Sequence, residues 1–164
     1  MSKTKDNLMA AFAGESQANR KYLAFAKQAD ADGLPQVAKL FRAVAEAETI
    51  HAHAHLRNAG KIGSTLENLK DAESGEIYEF SKMYPEMIKE AESESATKEA
   101  KYFSYVAAVE EVHSKLYRKA VEAGGKPAAT DYYICAVCGY THEGPHDADC
   151  PVCGAGAKAF YKVA

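Results

Sequence analysis

Four helices predicted from the sequence share one unusual feature, which is a set of acidic side chains in the middle of an otherwise apolar stripe. Apolar residues at three- and four-residue spacing predict helices over residues 3–32, 35–59, about 66–93 and about 96–123. The four stripes cross five glutamates and two histidines, which are Glu15, Glu48, His51, Glu76, Glu79, Glu110 and His113. Gathered in one core without a cation, these groups would repel and desolvate one another. The pattern therefore predicts a metal site inside an all-α four-helix bundle.

The spacing of these residues matches a known type of metal site. Two Glu-x-x-His pairs occur, at 48–51 and 110–113, and residues three apart share a helix face. Four-helix bundles with di-iron or di-manganese centres use two such pairs and one glutamate from each of the other two helices. Glu15 and Glu76 provide those single carboxylates, and Glu79 is a surplus acid on the face of Glu76. Antiparallel neighbours would bring all seven groups to roughly one level.

Local signals set the limits of the third and fourth helices. Ser64 and Glu67 form a capping-box pattern at the start of the third helix. Pro85 lies inside that helix, so a kink or bulge is expected near residues 81–84. Gly124 and Gly125 end the fourth helix. We therefore expect a bundle domain over residues 1–125.

The C-terminal part of the chain has a different character. A short linker is predicted over 126–131, and residues 132–164 contain all four cysteines, as two C-x2-C-G motifs formed by Cys135, Cys138, Cys150 and Cys153. Each motif forms a tight turn that points two thiolates at one metal, so two motifs make a tetrahedral four-sulfur site. The spacing alone does not distinguish iron from structural zinc. Zinc could also replace iron in recombinant protein.

Composition and charge narrow the choice of partners and compartment. The net charge is −3 and there is no basic run, which argues against nucleic acid and anionic membrane as partners. The sequence shows neither a signal-peptide pattern nor a stretch that could span a bilayer, so we expect a cytoplasmic protein. In the cytosol, paired cysteines bind metal more often than they form disulfides.

At this level of detail the chain resembles the rubrerythrin family. The resemblance rests on the segments AFAGESQANRKY, EAETIH, GEIYEFSKMYPEM and VEEVH, and on the cysteine module that follows them. It implies a ferritin-like four-helix bundle holding two iron ions, joined to a rubredoxin-like Fe(Cys)4 domain. The implied di-iron ligands are the seven residues of the apolar stripes. In the family, one iron exchanges a histidine, here His51, for a glutamate, here Glu79, as its redox state changes.

The resemblance also implies an activity and its partners. Family members reduce hydrogen peroxide to water and protect microaerophilic and anaerobic cells from oxidative stress. Tyr22 and Tyr84 are candidates for orienting peroxide, although both fit an ordinary aromatic core. No glycine-rich nucleotide loop occurs, so electrons from NAD(P)H would arrive through a separate reductase or rubredoxin. Two alternatives remain open, a ferroxidase or iron-storage protein and a zinc ribbon on a structural bundle.

The connection between the second and third helices constrains the assembly. A ferritin-like bundle needs one long crossover connection, whereas residues 60–65 reach only about 20 Å when extended. A simple up-and-down bundle would avoid the crossover. A homodimer that exchanges helix pairs would avoid it too, and would keep the family arrangement. We expect the helix-swapped homodimer.

Overall fold

The protein folds into two compact units. The structure, a computed structural model, describes residues 2–164; Met1, the first residue of the predicted bundle domain, lies outside the described residues. The first unit ends at Gly63, and the second comprises Ser64–Ala164. None of the helices in residues 2–164 combines the length and apolar composition needed to cross a lipid bilayer.

The first unit is a pair of long helices, α1 (Lys3–Ala31) and α2 (Pro35–Asn58). Ser2 caps α1, because its hydroxyl accepts a hydrogen bond from the Lys5 backbone N–H. Proline at the first position of α2 suits a helix start, where no backbone N–H is needed. The buried apolar side chains of the two helices are all small, and they are Ala26, Ala29, Ala38, Ala45 and Ala52.

The second unit begins with an interrupted helix and a continuous one. The interrupted helix consists of α3 (Thr65–Tyr78), a π-helical turn (Glu79–Met83) and α4 (Tyr84–Ser93). The continuous helix, α5, spans Thr97–Glu122 and packs against α3 and α4. At the start of α3, Ser64 and Glu67 make both hydrogen bonds of a capping box, as predicted.

The predicted bulge before Pro85 is confirmed as the π-helical turn. Proline has no N–H to donate to the carbonyl four residues earlier, at Ser81, so the regular hydrogen-bond ladder cannot continue there. Instead the Tyr84 backbone N–H bonds to the Glu79 carbonyl, five residues back. Single π turns of this kind occur frequently at functional sites. Here the turn begins at Glu79, one of the acidic residues of the predicted site.

The chain ends in a three-stranded antiparallel sheet that carries the cysteines. Its strands are β1 (Tyr132–Cys135), β2 (Thr141–Glu143) and β3 (Phe160–Lys162), in the order β2-β1-β3, with a short 3₁₀ turn (Ala157–Ala159) before β3.

This cysteine module lies on α5 of the same unit. Val109 of α5 is almost fully buried in a cluster with Cys135, Cys138 and Cys150. Gly139 has a φ of 84°, and a Cβ there would lie 3.9 Å from Val109 Cγ1, so the turn is positioned close against the helix. The contact therefore places the first cysteine turn on the helix that carries the second Glu-x-x-His pair.

Candidate metal centres

The first unit brings Glu15, Glu48 and His51 together, and we call this group the first triad. His51 Nδ1 lies 2.9 Å from Glu48 Oε2, its neighbour three residues back, and 4.0 Å from Glu15 Oε1 on α1. All three residues offer a ligand atom within 4.8 Å of one another. Two carboxylates and one imidazole are suitable ligands for an iron-type cation.

A buried asparagine holds the two helices of the first triad in register. Asn19 lies one turn after Glu15, and its Nδ2 donates to the Ala45 carbonyl at 2.7 Å and to Thr49 Oγ1 at 2.8 Å. Thr49 is the residue after Glu48, so the amide links the α1 and α2 segments that carry the ligands. Asn19 is only 8% exposed. A polar amide is tolerated in the helix contact because its Nδ2 donates two hydrogen bonds there.

The second unit repeats the arrangement with Glu76, Glu110 and His113, which we call the second triad. His113 Nδ1 lies 2.6 Å from Glu110 Oε2, three residues back, and 4.0 Å from Glu76 Oε2 on α3. The ligand atoms of this triad also lie within 4.8 Å of one another. The second triad is less exposed than the first, with the His113 side chain 25% exposed against 54% for His51.

Electrostatic strain is visible in the second triad. Burial, reinforced by a hydrogen bond to Glu110 and repulsion from it, raises the pKa of Glu76 to about 7. Burial and the negative charge of Glu110 also raise the pKa of Glu79. Burial works to lower the pKa of His113, but the hydrogen bond to Glu110 and the negative charges of Glu110 and Glu76 together outweigh it, so the net shift is upward. A bound cation would replace the protons that these groups share.

Glu79, the surplus acid, does not belong to either triad. It lies at the start of the π-helical turn, and its carboxylate is close enough to Glu110 and His113 to feel their charges. The structure therefore places it beside the second triad.

The two predicted tyrosines have different surroundings, and a third was missed. Burial, followed by the negative charge of Glu110, raises the pKa of Tyr84. Tyr22 packs in an aromatic cluster, with its ring 6.2 Å from Phe41. Tyr117 also has a raised pKa, from burial and then from the charge of Glu76. It continues the stripe of α5 one turn beyond His113, a signal present in the sequence.

The four cysteines form a cluster suited to a single tetrahedral ion. Two equivalent turns are closed by backbone hydrogen bonds of 2.9 Å, from Gly139 to Cys135 and from Gly154 to Cys150. The sulfurs of Cys135 and Cys153 are 3.8 Å apart, and those of Cys138 and Cys150 are 3.6 Å apart. Four sulfurs at about 2.3 Å from a central ion would be roughly 3.8 Å apart, whereas a disulfide needs about 2.0 Å.

Backbone amides also prepare this cluster for thiolates. Burial opposes ionisation of Cys135, but hydrogen bonds from the backbone of Cys138 and Val137 outweigh it and lower the pKa of that thiol. Burial raises the pKa of Cys153, so a metal ion is required to keep all the sulfurs deprotonated.

One contact at the second triad was not predicted. Thr141, at the start of β2, places its Oγ1 2.9 Å from His113 Nε2. No local pattern signals this pair, since the two residues are 28 positions apart.

Comparisons with known proteins agree with this description. The family model described as rubrerythrin matches residues 6–121, and the model described as the rubrerythrin rubredoxin-like domain matches residues 133–161. The chain is 36% identical to nigerythrin of Nitratidesulfovibrio vulgaris, covering 92% of this chain and 81% of that protein. It is 33% identical to rubrerythrin of the same organism, over 99% of this chain and 94% of the relative. Rubrerythrin-2 of Clostridium acetobutylicum is 32% identical, with 96% and 95% covered.

Solved structures give the same result for the fold. Nigerythrin in a mixed-valence state aligns with a TM-score of 0.59 at 34% identity, over 99% of this chain and 88% of that one. Nigerythrin in a fully reduced, all-ferrous state gives the same values. The fold is thus a ferritin-like helical bundle with a small rubredoxin-like domain, carrying a di-iron carboxylate site and a four-cysteine iron site. The chain belongs to the rubrerythrin family.

Proposed function

We propose that the protein is a non-haem di-iron peroxidase that reduces hydrogen peroxide to water, protecting the cell from oxidative stress. The observation that carries the proposal is the repeated triad, with the same three donor groups at nearly the same distances in both units. A four-sulfur cluster on the same chain adds the means to deliver electrons. A ferroxidase or storage protein would not require that second metal site.

We assign one iron ion to each triad. The assigned ligands are Glu15, Glu48 and His51 for one ion, and Glu76, Glu110 and His113 for the other. Glu79 lies beside the second triad and is not assigned to an ion in this state. It is the proposed ligand that one iron takes in exchange for His51. The donor set fits because Glu76 of the second triad and the adjacent Glu79 have raised pKa values without a cation, and a cation would relieve that strain.

The residues around the ligands orient the substrate and manage protons. When bound, two ferrous ions side by side supply the two electrons that cleave the O–O bond, and two protons complete the two water molecules. Tyr84 keeps its proton because burial and the nearby carboxylates raise its pKa, so it acts as a hydrogen-bond donor to peroxide. Tyr22 has the same capacity, but its place in the aromatic cluster supports a packing role.

The cysteine module supplies the electrons. A four-cysteine iron centre stores one electron, so it must be reduced twice for each peroxide consumed. A separate reductase or rubredoxin, using NAD(P)H, would refill it. Four free cysteines arranged for metal also favour a reducing compartment such as the cytoplasm.

We further propose that the protein works as a helix-swapped homodimer. The connector between α2 and α3 has only the residues 59–64, with a reach of about 20 Å, against a length of about 36 Å for α2. Apolar side chains of the first unit are exposed in the single chain, among them Leu34, Val37 and Leu40. In the swapped dimer, the second unit of the partner chain covers this apolar surface of the first unit. Each di-iron site then uses residues of both chains.

An anaerobic single-turnover experiment tests the peroxidase function. Iron-loaded, fully reduced protein is mixed with hydrogen peroxide, and peroxide consumption and the visible absorption of the four-cysteine centre are followed together. Peroxide should disappear without release of oxygen while the oxidised chromophore returns. The proposal fails if peroxide persists and added iron accumulates well beyond the capacity of the two sites, since that result indicates iron storage.

A further inference from the structure

His113 is held at both nitrogens of its ring. On one side Nδ1 faces the carboxylates of the second triad, with Glu110 Oε2 at 2.6 Å. On the other side Nε2 lies 2.9 Å from Thr141 Oγ1. Thr141 belongs to the cysteine module. A residue of the cysteine module therefore contacts a candidate metal ligand of the helical bundle.

The hydrogen bonds around Thr141 indicate which ring nitrogen carries the proton. Thr141 Oγ1 donates its own hydrogen to the Gly139 carbonyl at 3.3 Å, which leaves an oxygen lone pair to face the ring. The group that faces Nε2 is therefore an acceptor, and it selects the form of the ring with hydrogen on Nε2. In the metal-free ring Nδ1 donates to Glu110, and a metal ion would take the place of that proton while Nε2 keeps its own.

We propose that Thr141 is a positioning residue, whose hydroxyl holds His113 with Nδ1 aimed at the iron of the second triad. The inference rests on the proposed function only in taking His113 as an iron ligand. Through this hydroxyl the cysteine module fixes the orientation of a histidine in the bundle. This role is separate from the donation of electrons. Gly139 directly follows Cys138 in the chain. The hydrogen bonds of Thr141 to Gly139 and to His113 therefore also connect the four-sulfur cluster to the imidazole ring.

Docking of the module does not depend on the Thr141 hydroxyl. Val109 is almost completely buried among the cysteines, and an ion pair of 2.6 Å joins Lys119 of α5 to Glu143 of β2. In the sheet, Thr141 pairs with Ile134 through its backbone, and valine is as well suited to a strand as threonine. Thr141→Val should thus remove the two hydrogen bonds of the hydroxyl, to His113 and to the Gly139 carbonyl, and leave the module in place.

The first triad lacks an equivalent anchor. His51 is more exposed than His113, and no residue within the described range 2–164 holds its Nε2 as Thr141 holds that of His113. Within one chain, the proposal therefore assigns an anchored histidine to the second triad only.

Cobalt(II) binding to full-length protein with zinc in the four-cysteine site tests the proposal. Thr141→Val should weaken binding of one of the two cobalt ions by about tenfold or more, as is typical when a partner of a ligating histidine is lost. Thr141→Ser, which retains a hydroxyl, should stay within about threefold of the unaltered protein. Thr130→Val is the matched control, because Thr130 is an exposed threonine whose hydroxyl makes only a 3.5 Å contact with the adjacent Asp131 carbonyl.

A second readout reports on the ring itself. In protein with zinc in all sites, nitrogen-15 NMR should show a slowly exchanging His113 Nε2–H in the unaltered protein and in Thr141→Ser. In Thr141→Val that proton should exchange faster. Thr141→Ala serves as a second variant lacking the hydroxyl, and the iron-loaded chromophore of each variant confirms a folded module.

The outcomes separate this proposal from the proposed function. If Thr141→Val and Thr141→Ala match the unaltered protein in both cobalt affinity and Nε2–H exchange, the positioning role is wrong while the peroxidase proposal stands. If the unaltered protein binds no cobalt in the bundle, the assignment of the triads fails, and the role of Thr141 fails with it. Loss of affinity in Thr141→Ser equal to that in Thr141→Val would also overturn the hydroxyl mechanism.

Discussion

The two triads contain the same donor groups and differ in what holds them. In the first triad the support comes from within the helix pair, through Asn19 and its bonds to α2. In the second triad the support comes from a separate module, through Thr141. In the single chain the second triad is also more buried, and the pKa of Glu76 is raised. Identical local motifs can therefore be held in place by different parts of the same chain.

The comparison bears on the ligand exchange proposed above. Under that proposal, the anchored His113 keeps its iron, while the other iron exchanges His51 for Glu79. The π-helical turn begins at Glu79, and π turns are common at functional sites.

The largest expected effect is the loss of activity when a ligand of the second triad is removed. Glu110→Ala or His113→Ala should lower peroxidase turnover by about 100-fold or more, because losing a direct ligand costs at least as much as losing its supporting partner. The visible spectrum of the four-cysteine iron should be unchanged. The measurement is steady-state peroxide consumption alongside that spectrum.

Glu111→Ala provides the matched control for this experiment. Glu111 is adjacent to Glu110 on α5, but its side chain is about half exposed and pairs with Lys115 at 2.6 Å. Its removal should leave turnover nearly unchanged. Full turnover in Glu110→Ala would remove that residue from the ligand set.

A change in the cysteine cluster should separate single from repeated turnover. Cys150→Ser damages the four-sulfur site, so sustained turnover with a reductase should fall to background. Chemically reduced protein should still consume peroxide once, because both triads lie outside the cysteine module. If that single reaction also failed, the proposed division of labour between the two metal sites would be wrong.

Much of the fold followed from local sequence patterns. The helix limits, the capping box at Ser64 and the bulge before Pro85 all depend on interactions within a few residues, and each was predicted. The family and the two kinds of metal site were recognisable for the same reason, since Glu-x-x-His and C-x2-C-G are short motifs. The assignment of individual ligands stays a prediction.

What the sequence could not reveal depends on contacts between distant residues. The bond from His113 to Thr141 joins a helix to a strand 28 residues away, and no periodicity encodes it. The contrast between Tyr22 and Tyr84 is of the same kind, because both fit an apolar stripe. Only the packing shows that the charge of Glu110 acts on Tyr84, while Tyr22 lies against Phe41.

Mixing two inactive chains tests whether the triads of one site come from two chains. Glu15→Ala damages the first triad and Glu110→Ala damages the second. If the chains are unfolded and refolded together, half of the swapped dimers are heterodimers with one intact site, so about a quarter of the unaltered activity should return. Either chain refolded alone should remain inactive. In an unswapped bundle every site keeps a lesion, and a mixture without activity would exclude the swap.

The smallest expected effect is a pH dependence of stability that originates in the second triad. In protein without iron in the bundle, the pKa of Glu76 rises from about 4.5 in the unfolded chain to about 7 in the folded one. Between these values the folded state binds more protons than the unfolded state, so the free energy of unfolding decreases as pH increases from about 5 to 7. Partial exposure of the carboxylate limits the change to about 1 kcal/mol. Urea unfolding at several pH values, with zinc kept in the cysteine site, measures this change.

Glu76→Gln should flatten the pH dependence, because the amide does not titrate. Adding metal to the bundle should reverse its sign, because metal binds the deprotonated acids and is favoured as pH rises. A slope that persists unchanged in Glu76→Gln would show that the pH dependence originates in a group other than Glu76.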